Sequence, residues 1–251
     1  MISLKNEREF EAMRRAGRIV AEVLAWASRE IRPGMTTAEV DAEAERIIRA
    51  GGATPEFKGY RGFPASTCLS VNEQVVHGLP GRRKLAEGDV LGVDVGARID
   101  GLVADAAVTV GVGRIAPEAQ TLIDTCRECL ERAVAVCGPG ARLTAIGKAV
   151  QSHAESRGYA LVREYAGHGI GRRMHEEPSV PNYVDAETRR QDVVLKAGMA
   201  ICIEPMLNAG KADVRVLEDG WTVVTRDGRL SAHFEHTVAI RNHGAEVLTV
   251  P

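Results

Sequence analysis

Asp94, Asp105, His168, Glu204 and Glu235 are spread along the chain, and each stands in a phrase that suggests more than surface charge. Four carboxylates and one imidazole form a hard donor set, suited to Mn, Fe(II) or Co rather than to a thiolate-bound structural zinc. The set is large enough for two divalent cations with water between them. Such a pair activates water for attack on a carbonyl or phosphoryl centre. Asp94 lies in Val90-Leu-Gly-Val-Asp-Val95 and Glu204 ends Met199-Ala-Ile-Cys-Ile-Glu204. An unpaired carboxylate is costly in such apolar runs, so metal binding explains the placement better than exposure does. His168 stands between Gly167 and Gly169, where no neighbouring Cβ crowds the approach of a ligand.

These residues need a scaffold, and the pattern predicts one. Phe10, Met13, Gly17, Val20, Val23, Leu24, Ala27 and Ile31 recur at helical spacing, and Pro33-Gly34 follows. Thr36 and Glu39 form a capping box for a second helix, closed by Gly51-Gly52. The phrase then returns. Pro117 opens a helix, Gly138-Pro139-Gly140 breaks the chain, Thr144 is expected to cap a further helix, and Gly158 closes it. Two such halves suggest a pseudo-two-fold relation. After each helix pair come β-branched runs, around 89–95, 102–110, 199–206, 214–217, 221–225 and 233–240, with Asp100-Gly101 and Asp219-Gly220 as hairpin turns. The expected class is α+β, a mostly antiparallel sheet backed by helices. No linker interrupts the chain, so residues 1–251 are expected to form a single domain.

Register decides how the first two aspartates meet. If 98–101 is a four-residue loop, Asp94 falls opposite Asp105, with Cβ atoms roughly 5 Å apart. A two-residue Asp-Gly turn leaves them diagonal but on the same face. Either way, two like charges this close repel unless a cation lies between them.

Composition excludes other classes. At 45% apolar and 26% charged, with a net charge of −2, the chain gives no electrostatic reason to expect nucleic acid or an anionic membrane as its main partner. No run approaches the roughly 18 consecutive apolar residues of a membrane helix. The N-terminus is charged at once and lacks the apolar stretch of a signal peptide. Five cysteines without a scaffold spacing read as reduced thiols in a cytoplasmic protein. Cys126-Arg-Glu-Cys129 is a lone CxxC on a helical pattern, read as two small buried residues. There is no HExxH, no GxSxG, no P-loop and no complete dinucleotide loop.

Five phrases in order resemble the type I methionine aminopeptidases: Val75-Val-His77-Gly-Leu-Pro80, Val93-Asp94-Val95, Gly167-His-Gly-Ile-Gly-Arg172 with Met174-His175-Glu-Glu-Pro178, Ile203-Glu204-Pro-Met206, and Phe234-Glu235-His-Thr237. The resemblance runs from about Leu4 to Val247. It implies the pita-bread fold and removal of an initiator methionine from chains whose second residue is small. By the same resemblance, Asp94 binds one ion through both oxygens, Asp105 and Glu235 bridge two, and His168 and Glu204 complete the other. Two divalent ions, Co, Mn or Fe(II), are the implied cofactors. Glu204 also passes a proton to the leaving amine. His77 and His175 hydrogen-bond the substrate and steady the reacting centre. Matching positions give Tyr60, Phe63, Cys68, Met174 and Trp221 as the lining of the methionine pocket. The implied partners are the N-terminal peptides of nascent chains, with ribosome contact through stretches such as Arg82-Arg83-Lys84 a further expectation. The protein is expected to act as a monomer.

The match departs in places. Ala104-Asp105-Ala106-Ala107 lacks the hydroxyl usual beside the second aspartate, His233 stands where glutamine is expected, and Met174 where phenylalanine is commoner. A lost supporting hydrogen bond costs about 10–100-fold in metal affinity or activity. The chain is also expected to be without the N-terminal extension of eukaryotic type I forms and the insertion of type II forms. Two rivals remain: a proline-specific aminopeptidase or dipeptidase, and a weakly active or non-catalytic peptide-binding relative of the same fold.

Overall fold

A computed structural model describes residues 2–250. Helix α1 (Glu7–Glu30) opens on Asn6, whose side chain accepts from the Glu9 N–H while the Glu9 carboxylate takes the Asn6 N–H. This reciprocal cap satisfies two otherwise orphaned donors. Thr36 and Glu39 do the same for α2 (Thr37–Ala50). Pro117 is the first residue of α3 (Pro117–Ala135), where its missing N–H costs nothing. The expected cap of α4 (Leu143–Ser156) is a correction. Thr144 lies inside the helix, and the residue at the cap position, Arg142, makes no side-chain cap bond. Asp192, far along the chain, does the work: its carboxylate accepts from the Thr144 N–H at 3.0 Å and from the Thr144 hydroxyl at 3.0 Å. A short helix, α5 (Ala186–Arg190), precedes that aspartate.

The sheet is antiparallel in every recorded pairing, as expected for α+β. Strands Val90–Ile99, Leu102–Gly111, Glu235–Arg241, Ala200–Ile203 and Gly167–Gly169 lie side by side in that order within a nine-stranded sheet. The core repeats in halves. Helices α1 and α2 bury Val20, Val23, Val40 and Ile48 against Leu69, Leu91, Val93 and Ala106. Helices α3 and α4 bury Leu122, Cys126, Ile146 and Val150 against Ile201, Ile203, Val238 and Ile240. Cys126 and Cys129 are fully buried helix residues, and the cysteines are free thiols.

Two of the expected strands are interrupted. The run 199–206 divides at Glu204-Pro205 into Ala200–Ile203 and Met206–Asn208, and the run 233–240 divides at Phe234 into Ser231–His233 and Glu235–Arg241. The outer pieces leave the large sheet and pair with each other, Met206 opposite His233, in a separate three-stranded sheet. Proline cannot donate to a ladder, so Pro205 ends the pairing on its strand. The breaks face one another, with the Phe234 N–H donating to the Pro205 carbonyl at 3.3 Å. Glu204 and Glu235 therefore sit at the point where two neighbouring strands change sheets.

Candidate metal centre

The hairpin closes on two residues. Ile99 pairs with Leu102, and Asp100 and Gly101 both take positive φ, 49° and 77°. That geometry is a type I′ turn, which Asp-Gly favours. Direct opposition of the aspartates is thereby overturned in favour of the diagonal arrangement: Asp94 pairs with Ala107, and Asp105 with Gly96.

Register then assembles the site in two rows on one sheet face. The first crosses four strands through Cys68, Asp94, Ala107 and Glu235 by successive pairings. Two positions along, Thr237 pairs with Cys202. Its Oγ1 accepts from the Asp105 N–H at 2.9 Å and its hydroxyl donates to the Asp105 carbonyl at 2.8 Å. Residues two apart share a face, so Asp105, Thr237 and Cys202 lie beside the first row. Gly169 pairs with Ile201, which brings its neighbour His168 level with Cys202. The flanking glycines are a packing requirement. A Cβ on Gly167 would lie 2.3 Å from the Cys202 carbonyl, and one on Gly169 would lie 2.1 Å from the Glu177 carbonyl.

Every residue nominated from sequence lines one cavity of about 430 Å³. Asp94, Asp105, His168, Glu204 and Glu235 meet within it, alongside His77 and His175. Tyr60, Phe63, Cys68, Met174 and Trp221 complete an apolar side, with Phe63 and Trp221 edge to face at 5.1 Å. The cavity also includes Phe57, Arg61, Glu164, Tyr165, Ala166 and Ser179, which sequence reasoning missed because none of them belongs to the phrases that carry the resemblance. Tyr165 packs edge-on against His77 at 5.5 Å.

The carboxylates lack partners of their own. Asp94 Oδ1, Asp105 Oδ1 and Glu235 Oε1 are buried without a hydrogen bond. Burial pushes the Asp94 carboxyl up to about 7, eased by its contact with Asp105. Burial and mutual repulsion hold Asp105, Glu204 and Glu235 well above the ordinary carboxylate range. A cation relieves such a cluster, as protons do otherwise. His168 is lowered to about 4 by burial, so its ring is neutral. Its Nδ1 lies 2.9 Å from the Gly169 carbonyl, which leaves Nε2, 3.7 Å from Glu204 Oε1, as a free lone pair. A ring held through one nitrogen with the other free is the usual posture of a metal-binding histidine. Asp105, His168, Glu235 and Cys202 have ligand atoms within 4.8 Å of one another. Cys202 was not foreseen. Burial and the charges of Glu235 and Asp105 push its thiol up.

The two remaining histidines border the cluster. His77 adopts φ 59°, a left-handed conformation that non-glycine residues seldom take. The His175 ring lies 4.3 Å from that of His168, and its Nδ1 is 2.8 Å from the Tyr60 hydroxyl. Partial burial, then His168, Arg61 and His77, lower its basicity. The next residue, Glu176, is latched by the N-terminal segment. Lys5 Nζ donates to Glu176 Oε2 at 2.9 Å, Ser3 Oγ to the same oxygen at 2.5 Å, and the Arg173 N–H to Oε1 at 3.1 Å.

A model of metallopeptidase family M24 matches residues 11–242. The chain is 48% identical over 250 residues to the methionine aminopeptidase of Clostridium perfringens, covering 100% of this chain and 99% of that one. The crystal structure of the Thermotoga maritima methionine aminopeptidase superposes with a TM-score of 0.96 at 45% identity, covering both chains fully. The prolidase of Pyrococcus furiosus shares the fold at a TM-score of 0.78 and 25% identity, and this chain spans 65% of its length. With the helix-backed antiparallel sheet, these neighbours make the architecture the pita-bread fold. The chain belongs to metallopeptidase family M24 and groups within it with the methionine aminopeptidases.

Proposed function

We propose that the chain removes an N-terminal methionine from peptides and nascent proteins whose second residue is small. The observation that carries this reading is the trio of buried, unpartnered carboxylate oxygens of Asp94, Asp105 and Glu235 at a cavity with an apolar side. Oxygen donors this dense fit hard divalent ions. Asp94, Asp105, His168, Glu204 and Glu235 would hold two of them, with Mn, Fe(II) or Co as candidates. Such ions, when bound, supply Lewis acidity that acidifies water and polarises a peptide carbonyl.

The protein's own groups do the rest. Phe63, Met174, Cys68, Tyr60 and Trp221 take the methionine side chain, an apolar and polarisable group suited to aromatic and sulfur neighbours. Glu204 accepts the proton of the attacking water and returns it to the leaving amine. His175 is neutral, and in the tautomer whose Nδ1 accepts the Tyr60 hydroxyl its Nε2–H is left to hydrogen-bond the scissile peptide. His77 offers a second donor beside it.

The whole chain acts as one catalytic domain, a monomer in the cytoplasm, with nascent chains as substrate and ribosomes as a site of contact. Co-sedimentation with ribosomes at low salt tests that last element, since electrostatic contacts are strongest there.

The decisive experiment is hydrolysis of Met-Ala-Ser beside Ala-Pro-Ala by metal-stripped protein with Mn, Fe(II) or Co restored. Metal-dependent release of methionine, absent in Asp94→Ala, is the expected result. Cleavage of the proline peptide alone would transfer the protein to the proline-specific branch.

A further inference from the structure

Beside Glu204 lies an imidazole that this scheme leaves unused. His233 ends the strand Ser231–His233, just before the break at Phe234, and is only 4% exposed. Its Nε2 is buried without a hydrogen-bond partner. That atom is 3.8 Å from Glu204 Oε2, while His168 Nε2 is 3.7 Å from Glu204 Oε1. Glu204 therefore lies between two imidazoles, one facing each oxygen.

The backbones on both sides are fixed. Thr109 clamps His233, its Oγ1 accepting from the His233 N–H at 2.9 Å and its hydroxyl donating to the His233 carbonyl at 2.7 Å. Asn182 Nδ2 donates to the Glu204 carbonyl at 2.9 Å. Only the side chains remain to adjust. A neutral imidazole carries a single N–H, and the unpartnered Nε2 is the ring atom that faces the carboxylate. Leaving a buried donor unsatisfied costs about 1–3 kcal/mol. The neighbouring carboxylate oxygen lies less than an ångström beyond ordinary hydrogen-bond range, a gap that a small side-chain rotation closes.

We propose that His233 is a positioning residue for Glu204: its Nε2–H closes onto Oε2 and leaves Oε1 to the His168 side, so that the two oxygens take separate duties. This rests on the role given to Glu204 in the proposed function. A glutamine at this position, expected from the resemblance, would offer an amide N–H to the same oxygen.

The test compares wild type, His233→Gln and His233→Met as full-length, metal-stripped proteins titrated with Mn(II) in a calorimeter, followed by turnover at saturating Mn(II). Losing the donor should weaken Mn(II) binding and lower kcat for Met-Ala-Ser by about 10–100-fold in His233→Met, with KM little changed, whereas His233→Gln should stay close to wild type. A His233→Met variant that binds and turns over like wild type overturns the proposal. So does equal impairment of both variants, which would mean that only ring shape matters. Thermal melts monitor folding, and His233→Leu replaces the methionine variant if that one does not fold. A wild type that releases no methionine, with the binding pattern intact, would sink the aminopeptidase reading and leave the positioning role standing.

Discussion

Asp94 and Asp105 sit diagonally across one hairpin, each opposite a residue with little or no side chain, Ala107 and Gly96 respectively. Diagonal neighbours on a sheet face are about 7–8 Å apart, against roughly 5 Å for direct partners. The carboxylates can thus converge on an ion from two sides, while the Phe57 ring fills the room that Gly96 leaves, 2.8 Å from where a Cβ would stand. In the same row Ala107 separates Asp94 from Glu235, so three acids lie on adjacent strands with no larger group between them.

This crowding predicts opposite effects of one substitution on stability and on binding. Asp94→Asn removes a buried like charge, so the metal-free protein should melt about 2–4 °C higher, the shift expected for about 1 kcal/mol in a chain of this size. The same variant should lose the rise in melting temperature that Mn(II) gives wild type. Scanning calorimetry with and without Mn(II) checks both. A retained metal-induced rise would remove Asp94 from the ligand set.

The latch between Lys5 and Glu176 should show in acid. Burial raises the Glu176 carboxyl, but bonds from Ser3, Lys5 and the Arg173 N–H outweigh it and bring the group from 4.5 to about 2. A carboxyl lowered in the folded state contributes stability that is fully present above 4.5 and lost as pH falls toward 2. Lys5→Met should therefore cost about 3 kcal/mol at neutral pH, the low end for breaking a buried ion pair. The gap from wild type should narrow below pH 4.5. Urea unfolding at pH 7 and pH 3 measures it, and a gap independent of pH would assign the loss to packing alone.

Phe63 and Trp221 meet edge to face on the apolar side of the cavity. Phe63→Ala should lower kcat/KM for methionine peptides about 10–200-fold, the range for lost apolar contacts in a specificity pocket. Mn(II) affinity should hold, because Phe63 lies outside the nominated ligand set. A parallel fall in metal affinity would show that the wall supports the metal centre as well as the side chain.

Cys202 is close enough to Asp105, His168 and Glu235 to count as a donor by distance alone. The charges of Glu235 and Asp105, added to burial, disfavour its thiolate. Cobalt-loaded protein should accordingly show no thiolate-to-cobalt absorption, and Cys202→Ser should bind the same number of ions. A sulfur band in wild type that vanishes in the variant would make Cys202 a ligand.

Much of this was legible in the sequence because it is local. The capping box of Thr36 and Glu39 and the helix start at Pro117 are each read from a few adjoining residues, and the Asp-Gly turn states its own type. An acid in an apolar strand advertises an uncommon need, which is why Asp94 and Glu204 could be singled out. Other features were decided in three dimensions. The cap of α4 comes from Asp192, some 48 residues away in the chain, and no short-range pattern can register it. The runs 199–206 and 233–240 read as continuous strands, because the exchange of sheets at Pro205 and Phe234 depends on each strand facing the other's break. Cys202 looks like an ordinary residue of an apolar run until the ladder sets it beside the carboxylates, and His233, marked in the sequence only as a departure from glutamine, meets Glu204 only in the fold. The chain by itself determined which side chains carry charge and which segments become strands, since propensity and alternation act over a few residues. Only the tertiary structure decided which oxygens went without partners and which imidazole faced which carboxylate, because burial and register are set by strands distant in the chain.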